Sequence, residues 1–271
     1  MDERLHKLLA QHGIGSRREV EAWIREGRVL VNGRPAGIGQ KVARGDRIAV
    51  DGRDVTRRLA TNAALKVLVY HKPSGEMSRG GQGDERAGVE ERLPGLRSGR
   101  WVAVNALGYG EDGLLVLTND GALAAEAGRR GRDWPVEYRV RALQPRGAGD
   151  WPELPRQVVV GQQVIDLEAA ELAGQGTSNA WFRVACAHSM PRGGVRALFD
   201  GAGLKVNRVM LVRWGPFALP RDLPRGRHRE LTQAESEPLL ELTGRARESS
   251  TSRATGRRKP PSRGRRRSTG R

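Results

Sequence analysis

Near the start of the chain the apolar positions fall into two short helical stripes and then into strands. Leu5, Leu8 and Leu9 recur at helical spacing, and Gly13 to Gly15 end that pattern. Ser16 follows, with Glu19 three residues on, the arrangement that caps a second helix whose buried stripe is Val20, Trp23 and Ile24. Gly27 stops this helix. Val29 to Val31 then read as a strand turning at Asn32-Gly33, and Ile48 and Val50 as another, closed by Asp51-Gly52. Thr56 to Ala64 is a polar connection of small residues, after which Lys66 to Tyr70 predicts a strand ending in His71, Lys72 and Pro73.

The next pattern is the one around which the rest is organised. Trp101, Val102 and Val104 begin an apolar run, Gly108, Gly110 and Gly113 punctuate it, and Leu114 to Leu117 resume it. Thr118 to Gly121 make a turn, with Asp120 placed to cap a helix through Ala122 to Ala127. Strand, loop, strand, turn is the economical reading, and such a loop either carries a side chain into a cleft or simply joins two strands. Glu137 to Arg141 alternate as a strand. Val195, Leu198, Phe199 and Ala202 form a helical stripe stopped by Gly203. These patterns divide the chain into a module at 1–58, a linker at 59–65, a larger domain at 66–232 and a tail at 233–271.

Charge gives this outline a partner. Lys and Arg number 48 against 31 Asp plus Glu, a net +17, which favours a polyanion: nucleic acid first, an acidic membrane surface second. From Gly244 onward there are eleven cations against Glu248 and almost no apolar residue, a composition that cannot fold alone and that binds polyanions by default. No apolar stretch approaches the roughly 18 residues of a membrane span. The charged opening MDERLHK carries no secretion pattern, so the expected location is the cytoplasm. A single cysteine, Cys186, excludes an internal disulfide framework and reads as a small buried hydrophobe. The five histidines lack metal-like spacing, and no metal is expected.

RLHKLLAQHGIGSRREVEAWIREGRVLVNGRPAGIGQKVARGDRIAVDG closely resembles the RNA-binding domain first described in small-subunit ribosomal protein four. That resemblance implies an RNA surface formed by Arg4, Lys7, Arg17, Arg18 and Arg28, with Asn32 in the Gly27-to-Gly33 segment. Phosphate contacts from such cations give salt-sensitive affinity with little base specificity. Beyond the linker, KVLVYHKPSGEMSR, the 101–121 stretch, the Glu137–Arg141 strand and LKVNRVMLVRWGPFAL follow the order of bacterial ribosomal RNA pseudouridine synthases, in the branch carrying that same N-terminal domain. The resemblance covers roughly residues 3 to 232. It implies an α+β fold: the small α/β RNA-binding domain, then a mixed, largely antiparallel sheet with an RNA cleft across one face, to which the tail's composition adds a disordered basic end. It also implies ribosomal RNA or a pre-ribosomal particle as partner, no cofactor, no membrane association and a monomer.

Enzymes of this family break the N-glycosidic bond of a uridine, rotate the uracil and rejoin it to the ribose through carbon. The reaction needs a carboxylate beside the sugar and a base flipped out of its stack. In the family this carboxylate is the Asp of G-R-L-D-x-x-T-x-G-L-L, followed by T-x-D-G. Here Leu107, Gly113, Leu114, Leu115, Thr118, Asp120 and Gly121 fall in place. Asn105 replaces the first Gly, Ala106 the Arg, Gly108 the Asp and Glu111 the Thr. Further on, PRGGVRAL keeps Val195 and Arg196 of a pattern R-N-R-Q-V-R-R-M but puts Gly193 and Gly194 at the positions of Arg and Gln. In VMLVRWGP, Leu211 takes the place of a family Arg that pairs with the catalytic Asp. An arginine left without that Asp would be a buried unpaired charge costing roughly 3–5 kcal/mol, so the two losses belong together. Tyr138 stands where the family sets a tyrosine against the flipped uracil, and Lys72 and Arg196 join the expected RNA contacts. Two functions follow: an RNA-binding member of the family whose catalysis is impaired or lost at Gly108, or an active synthase using a displaced carboxylate such as Asp112.

Overall fold

The computed structural model describes residues 3–43, 45–59, 64–78, 86–96, 99–144, 149–176 and 178–244. The expected cationic stretch from 245 to 271 lies outside them. In the N-terminal module, α1 (Leu5–Gln11) and α2 (Arg17–Arg25) pack on a four-stranded antiparallel sheet of β1 (Val29–Val31), β2 (Arg34–Pro35), β3 (Ile48–Val50) and β4 (Arg53–Asp54). The start of α2 follows from its sequence. Ser16 accepts from the Glu19 N–H while the Glu19 carboxylate accepts from the Ser16 N–H, a reciprocal cap. The β1–β2 turn uses Asn32 and Gly33, both at positive φ, as a two-residue hairpin of this twist requires. Leu5, Leu9, Val20, Ile24, Val29 and Ile48 close a separate small core.

The larger domain is built on a nine-stranded sheet. Its elements are β5 (Val67–Lys72), β6 (Val102–Ala103), β7 (Glu111–Thr118), β8 (Val136–Leu143), β9 (Ala169–Gln175), β10 (Asn179–Cys186), β11 (Lys205–Trp214), β12 (Phe217–Ala218) and β13 (His228–Glu230). The order across the sheet is β9-β10-β8-β11-β7-β5-β13, with β12 added beside β11 and β6 beside β7. Only β11 and β7 pair in parallel, so the sheet is mixed and largely antiparallel. Helices α3 (Gly121–Arg130) and α4 (Gly194–Gly201) bury Leu123, Ala127, Leu198 and Phe199 in its main core. Phe199 meets Phe182 of β10 edge to face at 5.1 Å between ring centroids. Asp120 caps α3 by accepting from the Ala122 and Leu123 N–H groups, and Cys186 is buried.

Two boundaries differ from expectation. Strand β7 begins at Glu111, not after the glycine loop, because Gly113 belongs to the strand. Its φ is +111°, and a Cβ there would overlap the Leu211 carbonyl oxygen, so only glycine permits this approach to β11. At the other end, the segment expected to be disordered tail from 233 starts as a helix, α5 (Gln233–Leu242). Thr232 and Glu235 cap it reciprocally, and Leu239 is fully buried in the main core. Its apolar residues Leu239, Leu240 and Leu242 make it part of the domain, and the polar composition takes over only beyond Thr243.

Candidate functional site

Register partners in a sheet put their side chains on the same face. Tyr138 of β8 lies across from Leu211 of β11, and Val209 of β11 across from Glu111 of β7, so all four look to one side. On that side opens a cavity of about 530 Å³, within the usual range of ligand pockets. Asn105 and Ala106 form part of its wall, with Tyr138, Leu211, Met190 and Trp214, joined by Arg129 near the end of α3, which pairs with Glu126 at 2.6 Å, and by Arg132 just past it. Three residues at changed family positions, Asn105, Ala106 and Leu211, thus meet Tyr138 around one space. None of its lining residues is Asp or Glu. Burial first, and then the charge of Glu111, hold the Tyr138 hydroxyl above the ordinary phenol range.

The 107–111 loop is tied to its own backbone. The Glu111 carboxylate accepts from the Gly108 N–H at 2.7 Å, and a Cβ added to Gly108 would stand 3.3 Å from the same Oε2. The carboxylate therefore overhangs the position from which an Asp side chain would grow. Beneath the loop, Lys72 Nζ donates to the carbonyls of Pro73, Gly108 and Glu111 at 3.1, 3.1 and 2.8 Å. Lys72, expected among the RNA contacts, is 0% exposed. All three ammonium protons are used internally, and it serves as a bolt for the loop. Burial pulls its pKa down, against the raising influence of Glu76, Glu111 and Asp112. Ser78 Oγ donates to the Leu107 carbonyl, and Asn105 bridges to β7, donating to Leu114 O and accepting from Val116 N.

Asp112, one residue on, points the other way. It is 2% exposed and its Oδ2 accepts from Arg208 Nε at 2.6 Å. Its register partner is Met210, on the face opposite Tyr138 and Leu211. Adjacent strand residues face opposite sides, so Glu111 rather than Asp112 is the carboxylate beside the cleft. Alternation from the Leu114–Leu117 run contains that signal, but reading it requires knowing that the strand starts at Glu111. Arg196 on α4 reaches the same loop, its Nη2 standing 3.7 Å from where a Cβ on Gly110 would be. Tyr109, unremarked in the sequence, is 46% exposed at the loop tip with the Arg86 guanidinium over its ring.

On the N-terminal module, Arg4, Arg17 and Arg18 are exposed, and none makes a side-chain hydrogen bond or ion pair with a described residue. Arg17 and Arg18 open α2, where the positive end of the helix dipole disfavours cations and would welcome phosphate. Lys7 pairs with Glu3 at 2.9 Å. Arg28 is bidentate to Asp51, also bonded to Glu26, and lies over the Trp23 ring. Asn32 is committed to its own turn, donating to Asp46 and accepting from the Arg47 N–H. The structure thus sets Arg4, Arg17 and Arg18 apart from Arg28 and Asn32, whose polar groups already have local partners. Among the described residues no group of three His, Cys, Asp or Glu side chains is arranged to hold a metal, and no helix is long and apolar enough to cross a membrane.

Residues 3–48 match the S4 domain. A solved pseudouridylate synthase superposes with a TM-score of 0.53, covering 87% of this chain and 99% of that one at 20% identity. Together with the sheet order and the cavity beside Tyr138, these define an S4-domain protein with a pseudouridine-synthase fold. The ribosomal large subunit pseudouridine synthase B of Escherichia coli (strain K12) is 36% identical over 244 residues, covering 89% of this chain and 84% of the relative. The protein of the same name from Pseudomonas aeruginosa is 38% identical over 247 residues, covering 89% and 63%. That from Xanthomonas campestris pv. campestris is 38% identical over 244 residues, covering 88% and 49%. The chain belongs to the ribosomal large subunit pseudouridine synthase B family. It spans about half the length of the Xanthomonas relative.

Proposed function

We propose that this chain binds ribosomal RNA of the large subunit as a family member in which uridine isomerisation is impaired or lost. The observation that carries this reading is the cavity beside Tyr138. Gly108 stands at the family's Asp position, Ala106 and Leu211 stand at the Arg positions, and the lining contains no carboxylate. Without a group to take charge or a proton at the ribose, the glycosidic bond is not activated. Base capture needs less: an apolar and aromatic wall with cations at the rim, which Tyr138, Trp214, Met190, Arg129 and Arg132 supply. In this reading Arg4, Lys7, Arg17, Arg18 and Arg196 hold RNA, Tyr138 faces the uracil, no cofactor takes part, and the protein works as a cytoplasmic monomer on ribosomal RNA or a pre-ribosomal particle.

One observation favours a second reading, an active synthase. Glu111 carries a carboxylate over Gly108 on the cleft face, so a displaced carboxylate, if one acts, is Glu111 and not Asp112. Its present bonding to the Gly108 N–H argues against it, since it would have to break that bond and swing, and a misplacement near 1 Å costs on the order of a hundredfold in rate. Mapping pseudouridines in large-subunit ribosomal RNA from cells with and without the gene separates the two. The proposed reading expects the same map in both. A site lost on deletion, restored by the native protein and not by Glu111→Gln, would establish the second.

A further inference from the structure

We infer that the face of the sheet opposite the cleft is a second RNA-docking surface, built from arginines of β8, β10 and β11. This rests on the RNA-binding reading above but on residues that none of its contacts involve. Alternation along β8 sends Tyr138 and Val140 toward the cleft and Glu137, Arg139 and Arg141 to the far side. Across the strands, Arg139 stands opposite Arg183 of β10 on one flank and Met210 of β11 on the other. Arg141 stands opposite Trp181 and Arg208, and Glu137 opposite Arg213. Five arginines therefore share one face of three adjacent strands.

The acids on this face do not neutralise them. Arg183 takes Glu137 at 3.1 Å and Glu171 at 3.7 Å, and Arg208 takes Asp112 at 2.6 Å. Among the described residues Arg141 bonds only the neutral Asn179, at 3.2 Å. Arg139 and Arg213 are exposed and make no side-chain hydrogen bond or ion pair with a described residue. Like charges set directly opposite across strands are destabilising, and this face contains two such pairs, Arg139 with Arg183 and Arg141 with Arg208. A polyanion relieves that repulsion. Arg139 and Arg141 are two residues apart on one strand, about 6.7 Å, so their guanidinium groups present a row of bidentate phosphate donors. Trp181 adds a partly exposed ring, with the Arg208 guanidinium over it 5.6 Å from its centroid, whose open part a base can stack on. Unpartnered arginines beside an aromatic platform fit an RNA strand, rather than an acidic protein, as the occupant.

The test uses the full chain and a transcribed domain of large-subunit ribosomal RNA, with filter binding over a series of salt concentrations. In the Arg139→Glu/Arg141→Glu double variant each new carboxylate sits opposite an arginine, so the melting temperature holds or rises. RNA affinity falls about tenfold at physiological salt, and the salt slope drops by roughly 1.5 to 2, the yield of two lost phosphate contacts. Arg17→Ala/Arg18→Ala is the parallel arm for the N-terminal module. If that arm weakens binding while the Glu variant is folded and binds with unchanged affinity and slope, the second surface is refuted and the RNA-binding reading survives. If neither the native chain nor any variant retains the RNA on the filter even at low salt, both fail. Displacement of bound RNA by polyglutamate from the native chain but not from the Glu variant, at equal ionic strength, would make this face an acidic-protein site and overturn the RNA assignment.

Discussion

At the start of α2, Arg17 and Arg18 stand exposed at the positive end of a helix with no described partner, whereas in the 107–111 loop Glu111, Gly108 and Lys72 bind one another. The first region tolerates an electrostatic penalty that an RNA phosphate would remove. In the second, the polar groups are satisfied internally and leave little for a substrate. The proposed binding surface at α2 is open and in want of a partner, and the loop at the family's catalytic position is closed upon itself. That contrast underlies the proposed loss of isomerisation with retention of RNA binding.

The strongest way to break the comparison is to reopen the closed region. Gly108→Asp alone is expected to remain inactive, because its Cβ would crowd Glu111 Oε2 at 3.3 Å and its charge would lack an arginine. Ala106→Arg/Gly108→Asp/Glu111→Thr/Leu211→Arg restores the family's Asp with the Thr and the two Arg positions around it, and tritium release from labelled ribosomal RNA is expected to exceed that of Gly108→Asp by at least about a hundredfold. Equal rates for the two would refute the account of the cleft. Next in size is the bolt. Lys72→Met leaves three carbonyls without their donor and is expected to cost about 3 kcal/mol in urea denaturation. A loss under about 1 kcal/mol would mean that water replaces the ammonium.

Effects on the open regions are smaller for the fold. Removing residues 245–271, with their eleven cations, is expected to lower RNA affinity and flatten its salt dependence while the melting temperature stays put. An unchanged slope would remove those cations from the binding account. Smallest is Ser16→Ala, expected to cost about 1 kcal/mol through the lost α2 cap. Bonding to Ser16 lowers the Glu19 pKa below 4.5, so its stabilisation is present above that value and disappears as pH falls through the folded-state pKa. The gap in stability between native protein and Ser16→Ala should therefore be largest above that pKa and shrink in acid to the part owed to the Ser16 hydroxyl accepting from the Glu19 N–H.

Much of the fold was legible because local chemistry fixed it. Ser16 with Glu19, Asn32-Gly33 and Asp120 each satisfy their own neighbours, and each does in the structure what its spacing predicts. The site was legible only as a set of positions. Which of two adjacent carboxylates faces the cleft depends on the register of β7 against β11, a strand almost a hundred residues further on, and Gly113 hides that pairing by looking like part of a loop. Lys72 reads as a surface cation because nothing local shows that three carbonyls converge on it. Helix α5 escaped notice because a basic tail follows it closely, although Leu239 and its neighbours carry the apolar signal.

Helix α5 ends beside α3. Its last turn is held against α3 by Arg130, which donates to the Leu242 carbonyl at 3.0 Å, and the adjacent Arg129 lines the cavity. The cationic segment is thus tethered at the cavity's rim rather than at a remote point of the domain. In the proposed reading, RNA held by the cations beyond Gly244 would meet the cavity as an intramolecular partner rather than from bulk solution. On that reading, weak and sequence-blind attraction would become repeated local sampling of nucleotides by the pocket beside Tyr138.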